Sequence, residues 1–151
     1  MKIKVLGQKE VKQAVTMAEA IESTKQAFIS LSRGEAILPL RTQVSIKKEE
    51  GQTLFMPAFL PKTKSLGAKI VSVFPHNTAK GHPTIHAIVI LCDAETGQPE
   101  AIMDGTYLTA LRTGAASGVA TELLARKDAK TAAVIGAGVQ ARTQLEAVCC
   151  V

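Results

Sequence analysis

The sequence predicts an α/β chain in which a mainly antiparallel sheet is followed by one strand–helix unit of the kind found in parallel sheets. Three observations support this prediction. The core has to be aliphatic, because aromatic residues make up only 3% of the 151 residues and tryptophan is absent, and an aliphatic core is typical of a buried α/β sheet. Runs of β character separated by turns fill residues 38–101. A glycine-rich turn then follows a short apolar run at residues 131–135.

The elements before residue 104 are predicted from hydrophobic periodicity and turn residues. Thr16 can cap a helix over residues 17–33, which Gly34 ends. Strands are then predicted at residues 38–46, 53–60, 66–74 and 84–93, and a short one near residue 101. The connections are a polar hairpin at 47–51, a loop rich in Pro, Asn and Gly at 75–83, and a turn at 95–98. Together these signals predict a predominantly antiparallel meander.

The elements after residue 104 predict a second architecture. Asp104 or Thr106 can cap a helix that runs to about Arg126 and has small residues at 114–118. Two glycines inside a helix cost about 1 kcal/mol each relative to alanine, so a close neighbour is expected there, and packing is a commoner reason than a ligand. Residues 131–135 predict a short buried strand, followed by a helix to Val151. We therefore divide the chain into residues 1–127 and 128–151.

Charge and cysteine content exclude several classes of protein. The net charge is +5, from 18 basic and 13 acidic residues, but the basic residues are scattered rather than gathered on one face, which argues against nucleic-acid binding. Three cysteines without framework spacing indicate a reducing compartment. No apolar run approaches the roughly 20 residues of a membrane span, and the N-terminus does not read as a signal peptide. The sequence therefore predicts a cytoplasmic protein that binds neither nucleic acid nor membrane.

The glycine-rich turn has the spacing of a dinucleotide fingerprint, Gly136-x-Gly138-x-x-Ala141, between a predicted strand and a predicted helix. In such a turn Gly136 permits the tight bend, Gly138 lets the backbone approach a pyrophosphate, and Ala141 allows close helix packing. The alternative is a glycine-rich connection with no ligand. The acidic residue that binds the ribose is expected about 20 residues onward, beyond Val151, so the choice between NAD and NADP stays open.

Three cations stand in apolar segments with no acid at helix or strand spacing: Arg41, Lys69 and Arg112. Burying an unpaired charge costs several kcal/mol, so each cation is expected to find an anion. A shared substrate carboxylate would serve, because guanidinium groups bind carboxylates in a bidentate fork. The alternative is that the cations extend to solvent or pair with acids elsewhere in the fold, such as Asp93, Asp104 and Glu122.

The three histidines do not predict a metal site. His82 and His86 lie on either side of Pro83 at the start of a predicted strand, where four residues span roughly 13 Å, too far for one ion. His76 and His82 are instead expected in a loop near the pocket. We predict no metal.

Two longer motifs resemble the ornithine cyclodeaminase/mu-crystallin family. The first is Asp104-Gly-Thr-Tyr-Leu-Thr-Ala-Leu-Arg-Thr-Gly-Ala-Ala-Ser-Gly-Val-Ala-Thr121, and the second is Gly136-Ala-Gly-Val-Gln-Ala-Arg142. The stretch at residues 81–87 and the turn at 93–97 fit the family too. The resemblance covers essentially the whole chain, which is about half of a typical member. It implies an antiparallel substrate and dimerisation domain followed by a Rossmann domain, in a homodimer.

The resemblance also implies chemistry and site residues. Members remove a hydride from the α-carbon of an amino acid, or reduce the corresponding imine, with NAD or NADP; they include ornithine cyclodeaminases, alanine dehydrogenases and ketimine reductases. By resemblance, the substrate carboxylate is held by Arg41, Lys69 and Arg112. The cofactor would be bound by Thr84, Arg112, Gly136, Gly138, Val139 and Gln140. Lys69 would also be a catalytic acid/base group if burial lowers its pKa.

Two departures from the family pattern bear on the reaction. Ornithine-specific members carry an acidic residue just before the Met-Pro pair, whereas here Leu54 and Phe55 precede Met56-Pro57. This favours alanine, another small amino acid or a cyclic imine. The catalytic aspartate expected in the Rossmann half is absent from this chain, so the 151 residues alone are predicted to be inactive. The alternatives are a non-catalytic nucleotide-binding protein similar to mu-crystallins and a dimerisation module.

Overall fold

The chain forms one sheet covered on one side by helices, in a computed structural model that describes residues 2–151. The strands are β1 (Lys4–Leu6), β2 (Thr42–Ile46), β3 (Gly51–Leu60), β4 (Ser65–Val73), β5 (Ile85–Cys92) and β6 (Pro99–Asp104). The α-helices are α1 (Gln8–Ala14), α2 (Met17–Ser32), α3 (Gly105–Leu124) and α4 (Val139–Cys149). Short 3₁₀ turns follow β2, β3 and β4.

Local sequence sets the ends of the two long helices. The Thr16 hydroxyl accepts a hydrogen bond from the Glu19 amide at 3.3 Å, and the Glu19 carboxylate accepts from the Thr16 amide at 2.8 Å, a capping box that begins α2. At the start of α3 the Asp104 carboxylate accepts from the Tyr107 amide at 2.7 Å. Both caps confirm the predicted helix starts.

The sheet has the strand order β1-β6-β5-β4-β3-β2, and all neighbours are antiparallel except β1 and β6. The predicted antiparallel meander is therefore confirmed for β2 to β6. The sequence did not predict β1 or α1. These elements add an edge strand, in parallel register with β6, and a helix that buries Val11.

The two faces of the sheet differ in burial. On the face that carries Val71, Ala87 and Ala101, these side chains are buried; α3 packs across β4 and β5 on this side, and its Thr106 hydroxyl accepts from the Ala87 amide at 3.2 Å. We call this the inner face. The opposite face, here called the outer face, exposes apolar side chains, with Phe55 40% and Ile88 42% exposed.

The main hydrophobic cluster lies among α2, α3 and α4 rather than within the sheet. Its buried members are Met17, Ala20, Ile21, Leu111, Ala115, Val119 and Ala147. Several are alanines, so the helix backbones approach one another closely. The exposed side of α2 is tied to α3 by an ion pair between Lys25 and Glu122 at 2.7 Å.

Most element boundaries differ from the prediction by one or two residues (α3, for example, ends at Leu124 rather than near Arg126), and three differences bear on the candidate sites. β2 begins at Thr42, so residues 38–41 precede the strand and Arg41 lies just before it rather than on it. α4 ends at Cys149 rather than at Val151. The predicted strand at 131–135 is wrong: these residues belong to no strand, and Ile135 is 101% exposed. A strand needs a neighbour that accepts its hydrogen bonds, and none of the described residues supplies one beside this segment.

Within residues 2–151 no helix has both the length and the apolar character needed to cross a membrane.

Candidate carboxylate and dinucleotide sites

Lys69 lies in the middle of the sheet on its inner face. It stands in β4 between Met56 of β3 and Val89 of β5, and it shares its face with buried Val71. The side chain is half-buried. Burial lowers the pKa of Lys69, and the charge of Arg112 and then that of Arg41 lower it further. A lysine in the centre of a sheet, next to two arginines, is a strong local source of positive potential.

The two arginines whose charges act on Lys69 come from different elements. Arg112 projects from α3, which crosses the inner face. Arg41 immediately precedes Thr42, which pairs with Phe55 of β3. Continuing that register by one residue puts Arg41 in the row of Met56 and Lys69. The two arginines, which are far from Lys69 in sequence, thus lie within electrostatic range of it, and both arginine side chains are exposed to solvent.

The acids that could have neutralised these cations are engaged elsewhere. Asp93 accepts bonds from the amides of Glu95 and Thr96, Asp104 caps α3, and Glu122 pairs with Lys25. None of the ion pairs among residues 2–151 includes Arg41, Lys69 or Arg112. Like charges held together without an acid favour an external anion. A carboxylate fits, because it can accept several N–H donors at once.

One polar group near this cluster has no partner. The Thr109 hydroxyl lies on α3 one turn before Arg112, and it is buried without a hydrogen bond among the described residues. A buried unsatisfied hydroxyl is uncommon and calls for an explanation. Sequence reasoning missed Thr109, because a threonine inside a helix carries no signal of its own; only its burial identifies it.

The glycine-rich turn has the backbone geometry that its sequence predicts. Gly136 has φ +102°, a conformation that L side chains rarely adopt. Gly138 is the N-cap of α4 and supplies no side-chain cap, and nothing lies within 4 Å of the Cβ position of either glycine. The first N–H groups of α4, from Val139 and Gln140, are therefore available to an anion. These residues fit a pyrophosphate.

A cleft of about 420 Å³ adjoins this turn, between the extended segment and α4. It is lined by residues 132–136 and by Gly138, Ala141, Gln144, Leu145 and Val148. Its lining is mostly apolar.

Thr84 lies immediately before β5. Its carbonyl accepts a hydrogen bond from the Phe74 amide at 2.8 Å, which closes the base of the loop at 75–83. An ion pair between Lys80 and Glu49 at 2.7 Å and a hydrogen bond between the His76 ring and the Glu50 carboxylate at 3.0 Å hold this loop against the hairpin between β2 and β3. The loop that precedes Thr84 is thus anchored to the sheet.

No group of three or more histidines, cysteines and acids suited to a metal ion occurs within residues 2–151.

α3 connects the two candidate sites, because it carries Arg112 to the sheet and also contacts α4, which follows the glycine-rich turn. A group of three cations around a sheet and a glycine-rich turn before the next helix define the class of this chain as an α/β protein with candidate sites for anionic ligands. The chain belongs to the ornithine cyclodeaminase/mu-crystallin family, whose profile matches residues 1–151.

Relatives with assigned reactions support this placement. The chain is 42% identical over 144 residues to a Delta(1)-pyrroline-2-carboxylate reductase of Bacillus cereus, which covers 95% of this chain and 44% of that protein. A solved structure of the Thermococcus litoralis Delta(1)-pyrroline-2-carboxylate reductase with NADH and L-proline has a TM-score of 0.92 and 50% identity, over 97% of this chain and 46% of that one. An archaeal alanine dehydrogenase dimer with bound NAD has a TM-score of 0.91 and 42% identity, over 98% and 45%. The chain therefore spans about half the length of the relatives it matches.

Proposed function

We propose that this chain is the substrate-binding part, with the first dinucleotide-binding unit, of an NAD(P)-dependent enzyme that transfers a hydride at the α-carbon of an amino acid or imine. The observation that carries the proposal is that the charges of Arg112 and Arg41 act on Lys69, a half-buried lysine of the inner face, while none of the three has an acidic partner among residues 2–151. The backbone geometry of the turn at residues 136–140 supports the binding of a nicotinamide dinucleotide.

In this proposal the two arginines and Lys69 hold the substrate carboxylate. Two guanidinium groups on separate elements fix the carboxylate plane, and so fix the direction of the Cα–H bond. The turn at 136–140 would hold the pyrophosphate, with Thr84 and Arg112 as further contacts to the cofactor. The nicotinamide, when bound, accepts or donates the hydride.

Lys69 is proposed to move a proton as well as to bind. Because burial and the two arginines lower its pKa, its neutral form is reached nearer to physiological pH than for an exposed lysine. A neutral amine can accept a proton from the substrate nitrogen, and the ammonium can return it. A bound carboxylate would oppose this shift, so the proton affinity of Lys69 depends on ligand binding.

The residues before Met56 favour a substrate without a distal amine. Leu54 and Phe55 offer no carboxylate to a diamino acid, and the reductase and alanine dehydrogenase relatives act on a cyclic imine or a small amino acid. We infer a cyclic imine carboxylate, or a small amino acid such as alanine or proline, as substrate.

We infer that the partner is a second copy of this chain, docked on the outer face. That face exposes Val44, Phe55 and Ile88, and a large uncovered apolar surface usually marks an interface. The archaeal alanine dehydrogenase relative is a dimer, which supports a homodimer. Three free cysteines are compatible with the cytoplasm.

We retain the division into residues 1–127 and 128–151 as a proposal. One strand–helix unit cannot form a parallel sheet, so the 151-residue polypeptide alone is expected to bind carboxylates but to show no NAD(P)-dependent turnover of alanine, ornithine or cyclic imines. Measurable turnover by this polypeptide would contradict the proposal that residues 1–151 are insufficient for the reaction.

The test of the proposed function uses a subunit of the relatives' length that contains residues 1–151. Arg112→Gln removes a charge-assisted bond worth about 1.5–3 kcal/mol, so the KM for pyrroline-2-carboxylate should rise roughly 10- to 150-fold. Arg126→Gln is the matched control, because Arg126 is exposed and lies 3.5 Å from Asp128. Equal kinetics of the two variants would overturn the carboxylate site, and absence of turnover by the unaltered subunit would overturn the enzyme.

A further inference from the structure

α3 and α4 meet at Gly114. A Cβ atom at this position would lie 2.6 Å from the carbonyl carbon and 2.9 Å from the Cβ of Thr143. Real Cβ atoms essentially never approach other atoms so closely, and a backbone carbonyl cannot rotate away as a side chain can. Any side chain at residue 114 would therefore push α4 away from α3.

The part of α4 that rests on Gly114 is the part next to the dinucleotide turn. Thr143 is buried and donates a hydrogen bond to the Gln140 carbonyl at 3.1 Å. One residue further, Gln144 accepts a hydrogen bond from Ser117 of α3. The first turns of α4 are thus fixed to α3 by a close backbone contact and by a side-chain hydrogen bond.

The other side of α3 faces the cation cluster. Arg112 and Gly114 are two residues apart, so they project about 200° apart around the helix axis. The charge of Arg112 lowers the pKa of Lys69, whereas Gly114 lies against Thr143 of α4. α3 would therefore fix the distance between a carboxylate bound at Arg112 and a pyrophosphate bound at the start of α4.

We propose that Gly114 is a positioning residue: its lack of a side chain sets the distance between the substrate and the nicotinamide. The proposal rests on the proposed function, because it assumes that both ligands bind as inferred above. Hydride transfer needs reacting atoms about 3–3.5 Å apart, and a misplacement of about 1 Å can cost roughly 100-fold in rate. A shift of α4 would therefore impair the reaction while leaving each binding site intact.

Gly114→Ala should lower kcat roughly 100-fold, with little change in the KM of the carboxylate substrate or in the Kd of NADH. A crystal structure of the variant should show the start of α4 displaced from α3. This structural readout does not depend on turnover.

Gly118→Ala is the matched control, since it makes the same substitution one turn along the same helix. Its added Cβ would meet the Cδ1 of Ile21 at 2.7 Å and the Cβ of Ala147 at 3.3 Å. The clash is with the Ile21 side chain of α2, which can shift, whereas the contact with Ala147 requires α4 to give by only a few tenths of an ångström, so α4 should move less than in Gly114→Ala. This variant should lose stability but keep its kcat, whereas a purely structural role for both glycines would give two similar variants.

The measurements are steady-state kinetics, NADH titration by fluorescence and crystallography of both variants in the subunit of the relatives' length. Equal kcat values for the two variants, or an undisplaced α4 in Gly114→Ala, would overturn the proposal. If the unaltered subunit shows no turnover, the proposed function fails, and the displacement of α4 still decides the role of Gly114.

Ser117→Ala is the second variant if Gly114→Ala does not fold. It removes the bond to Gln144 without adding volume, and kcat should fall roughly 2- to 10-fold at constant KM, the range of one hydrogen bond. An unchanged kcat in Ser117→Ala would contradict the proposal that contacts between α3 and α4 set the distance between substrate and nicotinamide.

Discussion

The cation cluster and the dinucleotide turn differ in how complete they are within the same chain. Lys69 stands in a strand that is paired on both sides, and its neighbour Val71 is 6% exposed. Ile135, which leads into the turn, is 101% exposed in a segment that belongs to no strand. The strand that carries Lys69 therefore has all its neighbours within this chain, through local antiparallel pairing. The turn has its glycine geometry, but it lacks the parallel strands that would bury the segment before it.

The largest expected effect is in the buried cluster among the helices, which is complete within this chain. Leu111 is 3% exposed in the cluster that joins α3 to α2, and Leu111→Ala should lower the free energy of unfolding by about 2–5 kcal/mol through loss of burial and creation of a cavity. Urea unfolding of the 151-residue chain, followed by circular dichroism, measures it. A loss below about 1 kcal/mol would mean that the helical layer is loosely packed.

A smaller effect of opposite sign is expected at the cation cluster. Lys69 has a lower pKa in the folded chain than in the unfolded chain, because of burial and the charges of Arg112 and Arg41. Below the folded pKa both states are charged, and the folded state carries the full penalty. Between the two pKa values only the unfolded state keeps its proton, so stability rises with pH.

Lys69→Met should therefore stabilise the ligand-free chain at neutral pH, and the gain should shrink as pH rises towards the ordinary lysine range. Thermal unfolding at several pH values tests this prediction. The matched control is Lys62→Met, at an exposed lysine after β3, which should leave stability nearly unchanged. A destabilised Lys69→Met chain, or a gain that is independent of pH, would contradict the penalty that burial and the two arginines impose on charged Lys69.

The smallest effect is expected in the exposed segment before the dinucleotide turn. Ile135→Ala should change the stability of the 151-residue chain by less than about 0.5 kcal/mol, as for exposed substitutions in general. In a subunit of the relatives' length the same substitution should cost about 2–5 kcal/mol, because further parallel strands would bury Ile135. An equal cost in both chains would show that the comparison between the two regions is wrong.

The sequence predicted the antiparallel strands and the two long helices well, because their signals are local. The alternation in residues 84–93 and the capping residues Thr16 and Asp104 act within a few residues of themselves. The prediction from sequence failed at residues 131–135. An apolar run there resembles a strand, but the pairing of a strand depends on distant neighbours. β1 is only three residues long, too short for a period to be visible.

The candidate site was predictable only in part. Absence of a local acid marked Arg41, Lys69 and Arg112, but no spacing rule brings together cations from a loop, a strand and a helix. Family resemblance supplied the expectation that they share a carboxylate, and the structure adds that the charges of Arg112 and Arg41 lower the pKa of Lys69. The close contact of Gly114 with Thr143 could not be predicted, because it depends on the angle between two helices.

The parallel pairing of β1 with β6 constrains the order in which the sheet can form. Lys4 pairs with Ala101, so this edge of the sheet needs a loop of nearly the whole domain to close, whereas each hairpin from β2 to β6 closes over a short loop. Loop-closure entropy and contact order both favour the short loops first. β1 precedes the other five strands of this sheet in sequence, and it is thus expected to be the last of them to pair.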